Sequence, residues 1–146
     1  MDSNPAPIAR FEGSYLMPSY EHARVSDVMR PGVISCPPAE SLRTVARMMA
    51  TNHVHAVVIT AGGDAPVGVV SDRELMREAG PDVEDRLAGT VAADPVTVFA
   101  DDPVTEATRT MLDNSVSHAI VVDAGGRPLG VISALDVAGL LAHGRA

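Results

Sequence analysis

The sequence predicts an α/β (α+β) fold made of two tandem βαββα units packed on one another. Three observations carry that expectation. Residues 33–60, VISCPPAESLRTVARMMATNHVHAVVIT, recur at a constant offset of 63 as residues 96–123, VTVFADDPVTEATRTMLDNSVSHAIVVD. Val33 thus falls on Val96, His55 on His118, Ala56 on Ala119 and Val58 on Val121. The doubled glycine Gly62-Gly63 falls on Gly125-Gly126, and after the loss of one residue GVVSDREL (68–75) falls on GVISALDV (130–137). At 146 residues the chain suits one compact domain or two very small ones, and neither copy alone has enough residues for a robust core.

Residues 1–24 read as an arm, rich in proline and polar residues yet carrying Phe11, Tyr15, Leu16, Met17 and Tyr20 as anchors. A free terminus and a segment docked on the body or on a partner subunit are both open readings. Each unit then begins with a short β segment, Val33–Ser35 and Val96–Phe99. In the first copy Leu42, Val45, Ala46 and Met49 recur at helical spacing and give one apolar face. In the second, Asp102 and Pro103 suit the N-cap and first position of a helix with Glu106 in its first turn. Next come β-branched runs too short for helices, Ala56–Thr60 and Ala119–Asp123. The glycine pairs reverse the chain into Val67–Ser71 and Leu129–Ser133, and closing helices start at Ser71 and Ser133. Glu78–Gly89 is acidic, contains Gly80-Pro81 and reads as a linker. The expected divisions are an arm at 1–24, a first domain at 25–80, a linker at 81–88 and a second domain at 89–146.

Composition narrows the function. The net charge is −8, and all eleven basic residues are arginine. Binding to a nucleic acid polymer rests on cations that neutralise phosphates, so this balance argues against DNA, RNA and anionic membrane surfaces. No apolar run approaches the ~20 residues that span a bilayer, and Met1–Arg10 has no apolar signal core. Cys36 is the sole cysteine, which excludes an internal disulfide and points to the cytoplasm.

The chemistry sits at the end of each second hairpin strand. Gly68-Val-Val-Ser71-Asp-Arg-Glu74 and Gly130-Val-Ile-Ser133-Ala-Leu-Asp136 each describe a strand that ends in serine and opens a helix, with an acid three residues on. Ser71 and Glu74 satisfy a capping box with no ligand at all. The same geometry suits a ligand, since a helix N-terminus presents free N–H groups to phosphate and a carboxylate there can accept both hydrogen bonds of a ribose diol.

Tandem βαββα units with this glycine-to-acid motif resemble a pair of cystathionine β-synthase (CBS) domains, a Bateman module packed as a pseudo-two-fold pair. Val25–Met29 (VSDVM) resembles the opening of the first domain and Thr90–Val98 that of the second, with Ala92 where Met29 sits. The resemblance covers residues 25 to about 141. It implies a regulatory module, not an enzyme, that needs no cofactor, binds an adenosine ligand (AMP, ADP, ATP or S-adenosylmethionine) in clefts between the domains, forms a homodimer and signals to a protein partner. In the second repeat it implies Asp136 on the ribose, Ser133 near phosphate or ribose, and Val96, Ser117 and His118 around adenine. In the first repeat the matching positions are Glu74, Ser71, Val33, Val54 and His55. Glu74 stands where the family prefers aspartate, and Val57 and Ile120 replace a proline common in the second strand, so the Asp136 site is the favoured one.

An anionic ligand here needs local arginines, and Arg73, beside the first motif, is the favoured candidate, with Arg30 and Arg127 as others. His53 and His55 share one face of an extended segment but no third ligand has suitable spacing, so a metal site is not expected. Cys36 has no local cationic neighbour, and no Walker loop, nucleophile elbow or dinucleotide fingerprint is present. The competing function is a structural dimerisation or interaction module with empty clefts.

Overall fold

Alternation along two fully buried strands sets the layering. The computed structural model describes residues 17–144. In chain order these form α1 (Val25–Val28), β1 (Arg30–Pro31), β2 (Ser35–Cys36), α2 (Leu42–Asn52), β3 (Ala56–Thr60), β4 (Pro66–Ser71) and α3 (Asp72–Glu78). After a 3-10 turn at Val83–Asp85 follow α4 (Ala88–Val91), β5 (Thr97–Phe99), α5 (Val104–Asp113), β6 (His118–Val122), β7 (Pro128–Ser133) and α6 (Ala134–His143). In β3, Val57 and Ile59 face the helices of their own unit while Val58 faces the other sheet. In β6, Ala119 and Val121 face their helices while Ile120 and Val122 meet Val58 and Val69 at the seam. Burial on both faces explains why these strands read as continuous apolar runs rather than alternating ones.

Sheet one runs β2-β3-β4 and sheet two runs β1-β7-β6-β5. Within each unit the hairpin is antiparallel and the entry strand lies parallel to the hairpin's first strand. The turns use left-handed glycines, Gly62 at φ 80° and Gly126 at φ 86°, a conformation that costs a side-chain-bearing residue steric strain. Both hairpins also carry a register shift at matching places, Ile59/Thr60 and Val121/Val122, and this corrects the expected offset of 63. Strands and helices superpose at 62, so Ala56 rather than His55 is the counterpart of His118, and β6 starts at His118 instead of Ala119.

The two units exchange their opening segments. β1, from the first unit, pairs antiparallel with β7 of the second, Arg30 opposite Val131. Reciprocally, Ala93 of the second unit bridges Val69 on β4 of the first, through hydrogen bonds of 2.8 and 2.9 Å in the two directions. The short helices follow suit. Val25 and Val28 are buried in the second unit's core with Val104, Ala107, Met111, Ile132 and Leu140. Ala88 of α4 is buried in the first unit's core with Leu42, Val45, Met49 and Val70. Backbone bonds lock the swap: the Val25 N–H donates to Asp102 O, and the Ala88 N–H donates to Glu40 O. Each fully buried Val, Leu or Ile stabilises by about 1.5–3 kcal/mol, so neither core is complete without the other unit's helix.

Several local expectations shift. The first entry strand lies at Ser35–Cys36 rather than Val33–Ser35. Pro103 takes the N-cap position of α5, one residue beyond the expected Asp102, whose carboxylate instead accepts from the Phe99 N–H at 2.9 Å. The acidic segment after α3 is no loose tether. Arg86 donates to Glu78, Arg43 pairs with Glu84 at 3.5 Å, and Val83 packs on the first core. Of the arm anchors, Met17 and Tyr20 pack against the second core and Ala23 is buried in it, while Phe11, Tyr15 and Leu16 lie outside the described residues.

Candidate ligand clefts between the two units

Where β4 and β7 end, each chain turns directly into a helix, and both turns form complete capping boxes. The Ser133 N–H and hydroxyl donate to Asp136 Oδ2 at 2.9 and 3.1 Å, and the Asp136 N–H donates to Ser133 Oγ at 3.3 Å. The Ser71 N–H and hydroxyl donate to Glu74 Oε1 at 2.7 and 2.6 Å. The capping reading of both motifs therefore holds in the folded chain. The two acids differ in what remains available. Asp136 is half-buried, and Oδ1 has no hydrogen-bond partner among the described residues. Glu74, with a longer side chain folded back on tighter bonds, likewise leaves Oε2 without a partner among the described residues but is only 7% exposed.

Two clefts open along the seam, and each takes one wall from each repeat. The first, about 570 Å³, gathers Ser133 and Asp136 with Val33, Val54 and His55, and with Arg30 from β1. The second, about 750 Å³, gathers Ser71, Arg73 and Glu74 with Val96, Ser117 and His118, and adds Arg77, Asp94 and Asn114. Ser117 and His118 reach the first cleft as well, and so does Asp72. Grouping the candidate residues by repeat is thus corrected: Asp136 and Ser133 do not share a wall with Val96, and Glu74 and Ser71 do not meet Val33 or Val54. The exchanged opening segments bring each motif opposite the other repeat. Sequence reasoning missed Asp72, Arg77 and Asn52 as lining residues; Arg77, four residues after Arg73 on one helix face, was the one with a readable signal.

The arginines divide accordingly. Arg30 lines the first cleft and Arg73 the second, whereas Arg127 lines neither and lies 3.8 Å from Asp123 and 4.0 Å from Asp64. Between the clefts His55 Nδ1 lies 3.2 Å from Asp72 Oδ2. Burial pushes His118 below the ordinary histidine value, a trend that Glu74 and Asp72 oppose and His55 reinforces. A neutral imidazole at this position offers one donor and one acceptor to a neighbour.

Cys36 is buried, and burial, helped by Glu40, pushes its thiol upward, away from the reactive thiolate. Among the described residues no group of three or more His, Cys, Asp or Glu is placed to hold a metal ion, and no helix is long and apolar enough to cross a membrane.

Paired βαββα units with clefts at their seam define a regulatory two-domain module, and the chain belongs to the CBS domain family, which matches residues 25–80 and 85–143. As a CBS-domain pair, a Bateman module, it is a regulatory unit and not an enzyme. Among solved structures it is similar to the CBS domain protein PAE2072 from Pyrobaculum aerophilum complexed with AMP, at 32% identity and a TM-score of 0.71, over 82% of this chain and 98% of that one. The CBS domain pair of protein MJ0100, in complex with 5-methylthioadenosine and S-adenosyl-L-methionine, shares the fold at 17% identity and a TM-score of 0.75, over 82% of this chain and 96% of that one. In sequence the chain is 29% identical to protein MK0525 of Methanopyrus kandleri over 77% of its length, and 28% identical to a homoserine O-acetyltransferase of Methanococcoides burtonii over 80%. It spans only 60% and 24% of those two proteins.

Proposed function

We propose that the chain senses an adenosine ligand (AMP, ADP, ATP or S-adenosylmethionine) in the Asp136 cleft and passes the binding event to a protein partner. One observation carries the reading: a carboxylate with a free oxygen stands at the N-terminus of α6, in a cleft whose other wall holds Val33, Val54, His55 and Arg30. Asp136 Oδ1 accepts from the ribose diol, the apolar residues flank the adenine, and Arg30 answers a phosphate. The AMP complex of a relative at 32% identity supports the assignment. The output requires that ligand favour one of two states of the module. A cytoplasmic setting fits a lone buried cysteine.

The test is calorimetric titration of the purified chain with AMP, ATP and S-adenosylmethionine. Asp136→Ala removes two charge-assisted hydrogen bonds and weakens binding by about 100-fold or more. No heat with any of the three ligands overturns the reading; unchanged affinity in the variant removes Asp136 from the site.

A second reading, a dimerisation module, is favoured by one observation. Leu112, Met76, Leu135 and Leu141 are 74, 73, 67 and 66% exposed on α5, α3 and α6, an apolar load typical of interfaces. We place the subunit contact of a homodimer on these helices. Light scattering at twice the chain mass supports it, and a monomer at all concentrations refutes it.

A further inference from the structure

We infer that the second cleft takes a linear chain of two or more phosphoryl groups, gripped by Arg73 and Arg77, rather than a nucleoside gripped by its ribose. The inference rests on the reading that the clefts at the seam are ligand sites, and it assigns the two clefts different parts of ligand chemistry. Its first support is the acid. Glu74 gives Oε1 to both donors of Ser71 and is 7% exposed, so it presents less of its carboxylate to a ribose diol than the half-buried Asp136 does.

The second support is the cation pair. Arg73 and Arg77 lie four residues apart on one face of α3, both exposed, both lining the cleft, and neither paired with an acid among the described residues. Their spacing of one helical turn is about 6 Å, near enough for two flexible arginine side chains to reach different phosphoryl groups of one linear chain. Planar guanidinium groups bind such oxygens bidentately. The first cleft has a single arginine, Arg30, and the smaller volume.

The third support is how the acids of the cleft are disposed. Glu74 is held by Ser71, and Asp72 turns toward His55 at 3.2 Å. Asp94 is exposed on the opposite wall, which disfavours a phosphate chain on that side and leaves the α3 wall as its track. The shared chemistry of a nucleoside triphosphate and an inorganic polyphosphate is this phosphate chain, and the experiment separates the two.

The full chain is titrated at low salt with inorganic tripolyphosphate, ATP and AMP, alongside R73Q/R77Q, D136A and a control R47Q/R109Q. The control removes the same charge from exposed arginines outside both clefts. Tripolyphosphate binds the unaltered chain at one site, weakens at least about tenfold in R73Q/R77Q, and is unchanged in D136A and in the control. AMP shows the reverse dependence. ATP losing affinity in both cleft variants identifies a nucleotide as the source of the chain; ATP indifferent to R73Q/R77Q identifies the inorganic anion. Absence of tripolyphosphate binding, or equal losses in R73Q/R77Q and the control, overturns the inference. Tripolyphosphate binding with no heat from AMP, ATP or S-adenosylmethionine overturns the Asp136 reading and leaves this one standing.

Discussion

The two clefts are copies of one design that have drifted apart, and the difference lies in a single methylene and two guanidinium groups. In the first, an aspartate keeps one oxygen open beside one arginine; in the second, a glutamate folds onto its serine and two arginines line the wall. Repeats that share a backbone plan therefore need not share a ligand. The same asymmetry runs through the packing around them. Adding a Cβ at Gly130 places it 2.2 Å from the Arg30 carbonyl oxygen, whereas at the matching Gly68 it meets the Ala92 methyl at 2.9 Å.

That contrast yields the largest expected effect. Gly130→Ala must push β1 off β7 and destabilises by about 3 kcal/mol, while Gly68→Ala costs less, about 2 kcal/mol, because its overlap with the Ala92 methyl is smaller, although that methyl moves only with its backbone. Denaturant midpoints at constant slope check it; equal losses would mean that β1 and Ala93 dock equivalently. A smaller change sharpens the comparison of ligands. Glu74→Asp shortens the buried acid to the length that works in the other cleft, at a stability cost below about 1 kcal/mol. The AMP stoichiometry then rises from one toward two per chain, and a stoichiometry that stays at one refutes the role given to that methylene.

The smallest effect concerns pH. His118 sits below its ordinary value of 6.5 in the fold, so the unfolded chain takes up its proton first as pH falls. Its contribution is fully present above about 6.5 and is lost as pH drops toward the folded value. His118→Gln flattens that segment of the stability profile, and a thermal midpoint with the same slope between pH 7 and 5 in both proteins contradicts the assignment. The groups around the imidazole, Glu74, Asp72 and His55, stay in place in that comparison.

Much of the fold was legible because the repeat is a physical statement: the same apolar spacing twice demands the same unit twice. β3 falls on Ala56–Thr60 as the β-branched run indicates, and β4 and β7 begin one residue earlier than Val67 and Leu129. What escaped was everything that depends on the other copy. β1 is two residues long and has no strand pattern of its own; it exists because β7 offers it partners. Ala88, inside a segment whose acids and Gly80-Pro81 announce a linker, is buried because the first core leaves a gap for it. The residues that line the clefts were mostly visible as types at repeated positions, but their partners were not. A motif shows that Asp136 ends a strand and opens a helix, and nothing in its own repeat shows that Val54 stands across from it.

Because each half lends its opening strand and helix to the other, the molecule resembles two hands with interlaced fingers more than two beads on a string. Cutting it between the repeats would leave each half short of a wall, and tilting one half drags a strand seated in its neighbour. The two clefts consequently rest on the same pair of exchanged segments, and neither has walls from one repeat alone.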